Sequence, residues 1–276
     1  MLTSEITKST AKPKSLRGFA NLYKKESKAW WRTYRWWINA LLWTVILCGL
    51  TSILLFGQNY EAVEAAKEEI EAAGGLAAYT VQLSVDIYFQ FGVSVSAIGT
   101  VILMLDQIIG EKQNGVAEWL LSKPVTRSAF IIAKLTANII PVIVLLVWLP
   151  SALTYGLISF RLGTAFPLVP FISSVGIMTL NTLFYFTFTL MLGTIFTNRG
   201  PILGITFGSI LGGGMIGGLI VQLQYITPWV LPKTASLISI GQKVAPEFGL
   251  FPIVATGLWC LVFILVALAI FNKSEF

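Results

Sequence analysis

Residues 129–159 read AFIIAKLTANIIPVIVLLVWLPSALTYGLIS, with Lys134 as the sole charge in the run. At about 1.5 Å per helical residue, such a run outreaches the ~30 Å hydrocarbon layer of a bilayer. Pro141 and Pro150 lie inside it and should bend it rather than end it. Working outward, five more apolar runs of spanning length occupy residues 36–57, 85–109, 168–197, 201–223 and 252–271. Of the 276 residues, 55% are hydrophobic and 12% charged, against about 25% charged in soluble domains. A soluble globular protein is thereby excluded, and lipid is the main solvent.

Lys and Arg number 19 against 13 Asp and Glu, a net charge of +6. Nucleic-acid binding would need these cations grouped on a folded polar face, whereas here they lie beside apolar runs, where they set orientation. Nine occur in residues 1–35, joined on that side by Lys112, Lys123, Arg127, Lys134, Arg199 and Lys273. Lys67, Arg161, Lys233 and Lys243 remain for the other side. This asymmetry predicts both termini in the cytoplasm of a multi-pass cell (inner or plasma) membrane protein. The first apolar run ends Leu54-Leu55-Phe56-Gly57-Gln58 with no A-x-A pattern, so it is expected to stay as a span.

The chain has no His, which removes the commonest general base, Ser-His-Asp catalysis and His-ligated metal sites. Neither catalytic nor metal-binding residues are expected. Cys48 and Cys260 sit in apolar runs without CxxC spacing and read as small buried hydrophobes.

The expected organisation is a basic leader over residues 1–35, a six-helix domain over 36–271 and a tail over 272–276. Leu16, Phe19, Leu22, Tyr23, Trp30, Trp31 and Tyr34 recur mostly at helical spacing among cations, which predicts an amphipathic interfacial helix. Trp30, Trp31, Trp36 and Trp37 then anchor the chain as an aromatic belt. The outer connection from 58 to 84 contains Glu61, Glu64, Glu68, Glu69 and Glu71 among alanines and then Gly74-Gly75, which reads as a short solvated helix with a glycine stop. Residues 224–251 are apolar but broken by Pro228, Pro232 and Pro246, which suits outer re-entrant helices.

Between the second and third runs stands Gly110-Glu111-Lys112-Gln113-Asn114-Gly115-Val116-Ala117-Glu118-Trp119-Leu120-Leu121-Ser122-Lys123-Pro124-Val125-Thr126-Arg127-Ser128. It predicts a short cytoplasmic amphipathic helix, with Thr126 or Ser128 capping the helix after it. A mere connector needs only a few polar residues. Glu111, Gly115, Leu120, Leu121, Ser122, Pro124, Thr126, Arg127 and Lys134 match, in order, the first cytoplasmic connection of ABC-2 type transporter permeases, which the chain resembles over nearly its whole length. Val116 departs from the Thr or Ser usual there.

The resemblance implies an all-α integral membrane protein of six transmembrane helices. It implies an exporter of a hydrophobic or amphipathic substrate that pairs with a second permease copy, identical or homologous. Two separate ATP-binding cassette subunits would hold the ATP and Mg. Segment 110–128 would be the coupling helix, with Glu111, Gly115, Glu118, Leu120, Leu121, Pro124 and Arg127 as contact residues. Glu111, Glu118, Lys123 and Arg127 are candidates either for partner contacts or for braces against the leader; an ordinary solvated charge set is the alternative. The sequence contains no Gly-Lys dipeptide and hence no P-loop.

Two rival readings use other features. An ion-coupled secondary transporter would employ Asp86 and Asp106, although no repeat relates the two three-span halves; for Asp106 a brace to a cation at the membrane edge is the simpler role. A non-transporting scaffold would use the cytoplasmic segment only to recruit a protein. Gly204, Gly208 and Gly212, with the pairs Gly213/Gly217 and Gly214/Gly218, suit either tight helix packing or a flexible wall of the transport path. The hydroxyls and Asn181 of the fourth run suit interhelical hydrogen bonds.

Overall fold

A computed structural model describes residues 16–57, 60–116, 119, 122–242 and 249–273. Among them every regular element is helical. The leader forms α1 (Phe19–Trp31) and the first span α2 (Arg35–Phe56). Two short helices, α3 (Tyr60–Ala65) and α4 (Lys67–Ala72), carry the acidic connection between the first two spans. The second span is α5 (Leu76–Met104), continued after a turn at Leu105 by α6 (Asp106–Gln113). The third comprises α7 (Arg127–Ile143), a π-helical turn (Val144–Trp148) and α8 (Leu149–Leu162). The fourth and fifth are α9 (Leu168–Ile195) and α10 (Arg199–Leu219). Then come α11 (Val221–Ile226), a 3-10 turn (Pro228–Val230), α12 (Leu231–Ser239) and the sixth span α13 (Phe251–Lys273).

All six runs are helices long and apolar enough to cross a membrane. The second begins at Leu76, nine residues before the sequence places it, because the run from 76 to 84 is polar enough to read as a connection yet packs in register with the rest of α5. The fifth ends at Leu219, and α11 is a separate short helix after it. Pro141 and Pro150 flank the π turn, where a wider helical turn accommodates the missing donors.

The fourth span is the hub of the bundle. Its most apolar window is 67% buried, against 28% for the first span, 22% for the fifth and 17% for the sixth. It packs on α13, α12 and α5, with Phe89, Val93, Ala97, Met178 and Phe186 fully enclosed. Interhelical hydrogen bonds accompany this packing: Thr182 donates to Ser96 Oγ at 3.1 Å, Asn181 to the Val93 carbonyl at 3.2 Å and Ser174 to the Ala235 carbonyl at 2.6 Å. Thr179, Thr187 and Thr189 instead bond back along their own helix.

At Gly204, Gly208 and Gly212 an added Cβ meets nothing within 4 Å among the described residues. Gly213 and Gly217, one position round the helix, make the close approach, under the Trp229 ring. The reason is angular: four-residue spacing keeps each row on its own face, and only the second turns toward the Pro228–Val230 turn.

Candidate functional site: the Glu111 end of the second span and the start of the third

Glu111 sits on α6, an extension of the second span, and accepts from Lys25 of α1 at 2.9 Å. Its other oxygen lies 3.1 Å from the Lys134 ammonium of α7. Lys134 also donates to Glu26 of α1 at 3.1 Å. The four charges sum to zero and join three helices. Lys134 is nearly enclosed, its side chain 3% exposed. A buried cation of this kind needs compensating charge, and two carboxylates supply it.

Helix α1 docks on α7 through residues one turn apart. Leu22, Glu26 and Trp30 form its buried face. Four residues beyond Glu26, the Trp30 indole donates to Asn138 Oδ1 at 2.6 Å. Asn138 in turn donates to the Lys134 carbonyl at 2.7 Å. The Arg35 guanidinium covers the Trp30 ring at 4.1 Å and reaches the Leu103 carbonyl at 3.4 Å.

The remaining polar groups of α6 reach the other side of the bundle. Lys112 donates to the Gly193 and Thr194 carbonyls at 3.0 and 2.8 Å. These are terminal carbonyls of α9, which lack helical partners and carry the negative end of its dipole. Gln113 donates to the Thr197 carbonyl at 2.9 Å. Asp106 accepts from Arg199, the first residue of α10, at 2.6 Å. That pair is half exposed, 59% and 52%, so its expected contribution is at most about 1 kcal/mol. Accordingly, Asp106→Asn should change the thermal midpoint of the solubilised protein by less than about 2–4 °C, read in a melting curve.

The far end of the segment is held as firmly. Gly18 adopts φ +87°, and a Cβ there would lie 2.7 Å from Val125 Cγ2. This close, left-handed contact lets the Thr126 amide donate to the Arg17 carbonyl at 3.1 Å. Thr126, rather than Ser128, caps α7, accepting from the Ala129 amide at 3.3 Å. Arg127 donates to the Asn272 carbonyl at 2.7 Å, close to where the Phe130 and Phe271 rings stack at 5.0 Å.

Gly115 turns the chain after α6 with φ +67°. Beyond it, Trp119 is 59% exposed, with the Lys123 ammonium 3.4 Å above its ring. Pro124 lies just before Val125 in the segment's return. Glu118, Leu120 and Leu121 lie outside the described residues. Of the sequence-derived candidates, Glu111 and Arg127 therefore stand at the two held ends and Lys123 lies between them, against Trp119, which the sequence does not single out. Glu26, Lys112 and Asn138 do not stand out in the sequence. A single charge inside an apolar run, as at Lys134, is the signal that locates such partners.

A second polar feature lies between α5, α9, α10 and the turn before α12. It is a cavity of about 160 Å³ lined by Ser94, Asn181, Tyr185, Gly214 and Trp229, among others. Ser209 contacts both the Tyr185 hydroxyl and the Trp229 indole, each at 3.3 Å. Asp86, outward of this cavity, is hydrogen bonded by Ser236 and Gln90. Cys48 and Cys260 are free thiols.

Comparison with known families gives a match over residues 20–276 to a family described as ABC-2 family transporter protein. No curated protein matches the chain.

Proposed function

The chain belongs to the ABC-2 family of transporter proteins, and from that premise we propose that it exports a hydrophobic or amphipathic substrate under the drive of a separate ATP-binding subunit. Membership makes it a transmembrane subunit of an ABC transporter and a multi-pass membrane protein. In the proposed assembly two permease copies, identical or homologous, receive two ATP-binding cassette subunits on segment 110–128. ATP and Mg are held by those subunits. The membrane is the cell's inner or plasma membrane, with both termini cytoplasmic, in keeping with the Lys and Arg asymmetry.

One observation carries the proposal. The segment is tied at both ends: Glu111, Lys112 and Gln113 reach the leader and the third and fourth spans, and Arg127 reaches the sixth. A displacement applied to the segment is passed to the bundle through these held ends. The cavity beside α5 and α10 supplies neutral hydrogen-bonding groups on the proposed path of the cargo.

The test is reconstitution with an ATP-binding cassette subunit that co-purifies with this chain. Glu111→Lys faces Lys25 and Lys134 with a third cation, and Arg127→Glu breaks the tie to Asn272. Each is expected to reduce cargo stimulation of ATP hydrolysis by about twofold to thirtyfold, a coupling change of roughly 0.5–2 kcal/mol, while membrane insertion is unchanged. Unaltered coupling and unaltered co-purification in both variants overturn the assignment.

A further inference from the structure

Where α1 meets α2, the turn opens a surface pocket of about 400 Å³ lined by Trp31, Arg32, Thr33, Tyr34, Trp36 and Trp37. Four of these are large aromatics left outside the bundle: Tyr34 is 75% exposed and Trp31 47%. The Tyr34 and Trp37 rings meet edge to face at 6.1 Å, giving one wall a fixed shape. Thr33 donates to the Ala29 carbonyl at 2.7 Å and accepts from the Arg35 amide, which ties down the floor.

The charge around this pocket has one sign. Lys24, Lys28 and Arg32 recur at four-residue spacing and are all exposed, so they form one row running into the aromatic bracket. Among the described residues no ion pair engages any of the three. The only carboxylate of α1, Glu26, is turned to the opposite face and bound by Lys134. Lys25 is engaged by Glu111, and Arg35 lies over Trp30. Below the pocket, α2 presents Ile38, Leu41, Leu42 and Val45, all exposed.

We propose that this pocket binds one anionic glycerophospholipid of the cytoplasmic leaflet. Its phosphate lies against Arg32 and Lys28, its glycerol region sits in the aromatic bracket, and its acyl chains run along the apolar stripe of α2. The chemistry favours a lipid over a small anion because the cation row and the apolar stripe meet at the pocket, and only a molecule with both parts uses both. It favours an anionic headgroup over a zwitterionic one because Lys24, Lys28 and Arg32, engaged by no ion pair among the described residues, leave net positive charge beside the pocket, which a headgroup carrying its own cation would not neutralise. The inference rests on the membrane-spanning assignment, not on ATP coupling.

Intact-complex mass spectrometry of the full chain, presented separately with phosphatidylglycerol and phosphatidylcholine, tests it. Phosphatidylglycerol should be retained preferentially. Arg32→Ala combined with Lys28→Ala should weaken that retention by at least about fivefold, while Lys67→Ala, on the outer helix α4, should leave it unchanged. Trp36→Ala should lower retention of the lipid without altering the response to salt. Equal retention of the two lipids, undiminished retention by the double variant, or complete displacement by millimolar inorganic phosphate would each overturn the proposal.

Discussion

Replacing Lys134 with methionine is expected to lower the stability of the detergent-solubilised chain by about 3–5 kcal/mol, as removal of one partner from a buried ion cluster does. The ammonium stands 3.1 Å from both Glu26 and Glu111, with its own side chain 3% exposed. Without it, two carboxylates face each other across a largely enclosed space, and only Lys25, itself half exposed, remains to offset them. The cost comes from stranded charge more than from a lost attraction. Removing the second charge as well should therefore recover much of the loss: Lys134→Met with Glu26→Gln leaves the 2.9 Å Lys25–Glu111 pair in place. Denaturation curves of the wild type, the single variant and the double variant form the check. A double variant no more stable than Lys134→Met would show that the cluster is not held as a unit.

The second large effect is steric. At Gly99 a Cβ would lie 2.6 and 2.7 Å from the Trp43 ring and 2.9 Å from Leu146 Cδ2. Both neighbours are buried, and Trp43 is pinned by its indole donating to Asn39 at 3.1 Å. The first, second and third spans meet here, so a side chain has nowhere to go without separating them. Gly99→Val is expected to cost about 1–3 kcal/mol or more, with Gly99→Ala smaller but of the same sign. Gly204→Val, where nothing stands within 4 Å, should stay within about 0.5 kcal/mol in the single solubilised chain. Equal losses at Gly99 and Gly204 would contradict the packing described.

Much of the architecture is legible in the sequence because spanning a bilayer imposes length and composition together. Six apolar runs become six helices, and the glycines at 74 and 75 end the helical stretch before the second span with positive φ. Boundaries are less legible where polarity and helicity diverge. Residues 76–84 carry Thr80 and Ser84 yet bury both, and a hydroxyl that is enclosed looks the same in sequence as one in water. Among the glycines of the fifth span, four-residue spacing marks several faces as smooth but does not say which one meets Trp229. That depends on how the Pro228–Val230 turn folds back.

At the candidate site, Glu111, Thr126, Arg127 and Lys134 stand out in sequence through their order and through the cost of charge near lipid. Their partners do not. Glu26 is one acidic residue among many cations, and Trp30 is one of four tryptophans that all suit a membrane belt. Only the packing of α1 on α7 separates Trp30, buried on Asn138, from Trp31, Trp36 and Trp37, which remain outside. Lys112 likewise reads as an interfacial cation until the end of α9 is placed within its reach.

The central claim, that an ATP-binding subunit grips the tip of segment 110–128, is tested most directly by cross-linking. Trp119→Cys, placed in a chain whose Cys48 and Cys260 have been replaced, puts the only thiol of this chain at the exposed tip. In membranes holding both proteins, a short bifunctional cross-linker should join this position to the ATP-binding subunit, with a yield that changes when ATP is trapped. An intact, ATP-hydrolysing complex in which position 119 never cross-links would contradict the account.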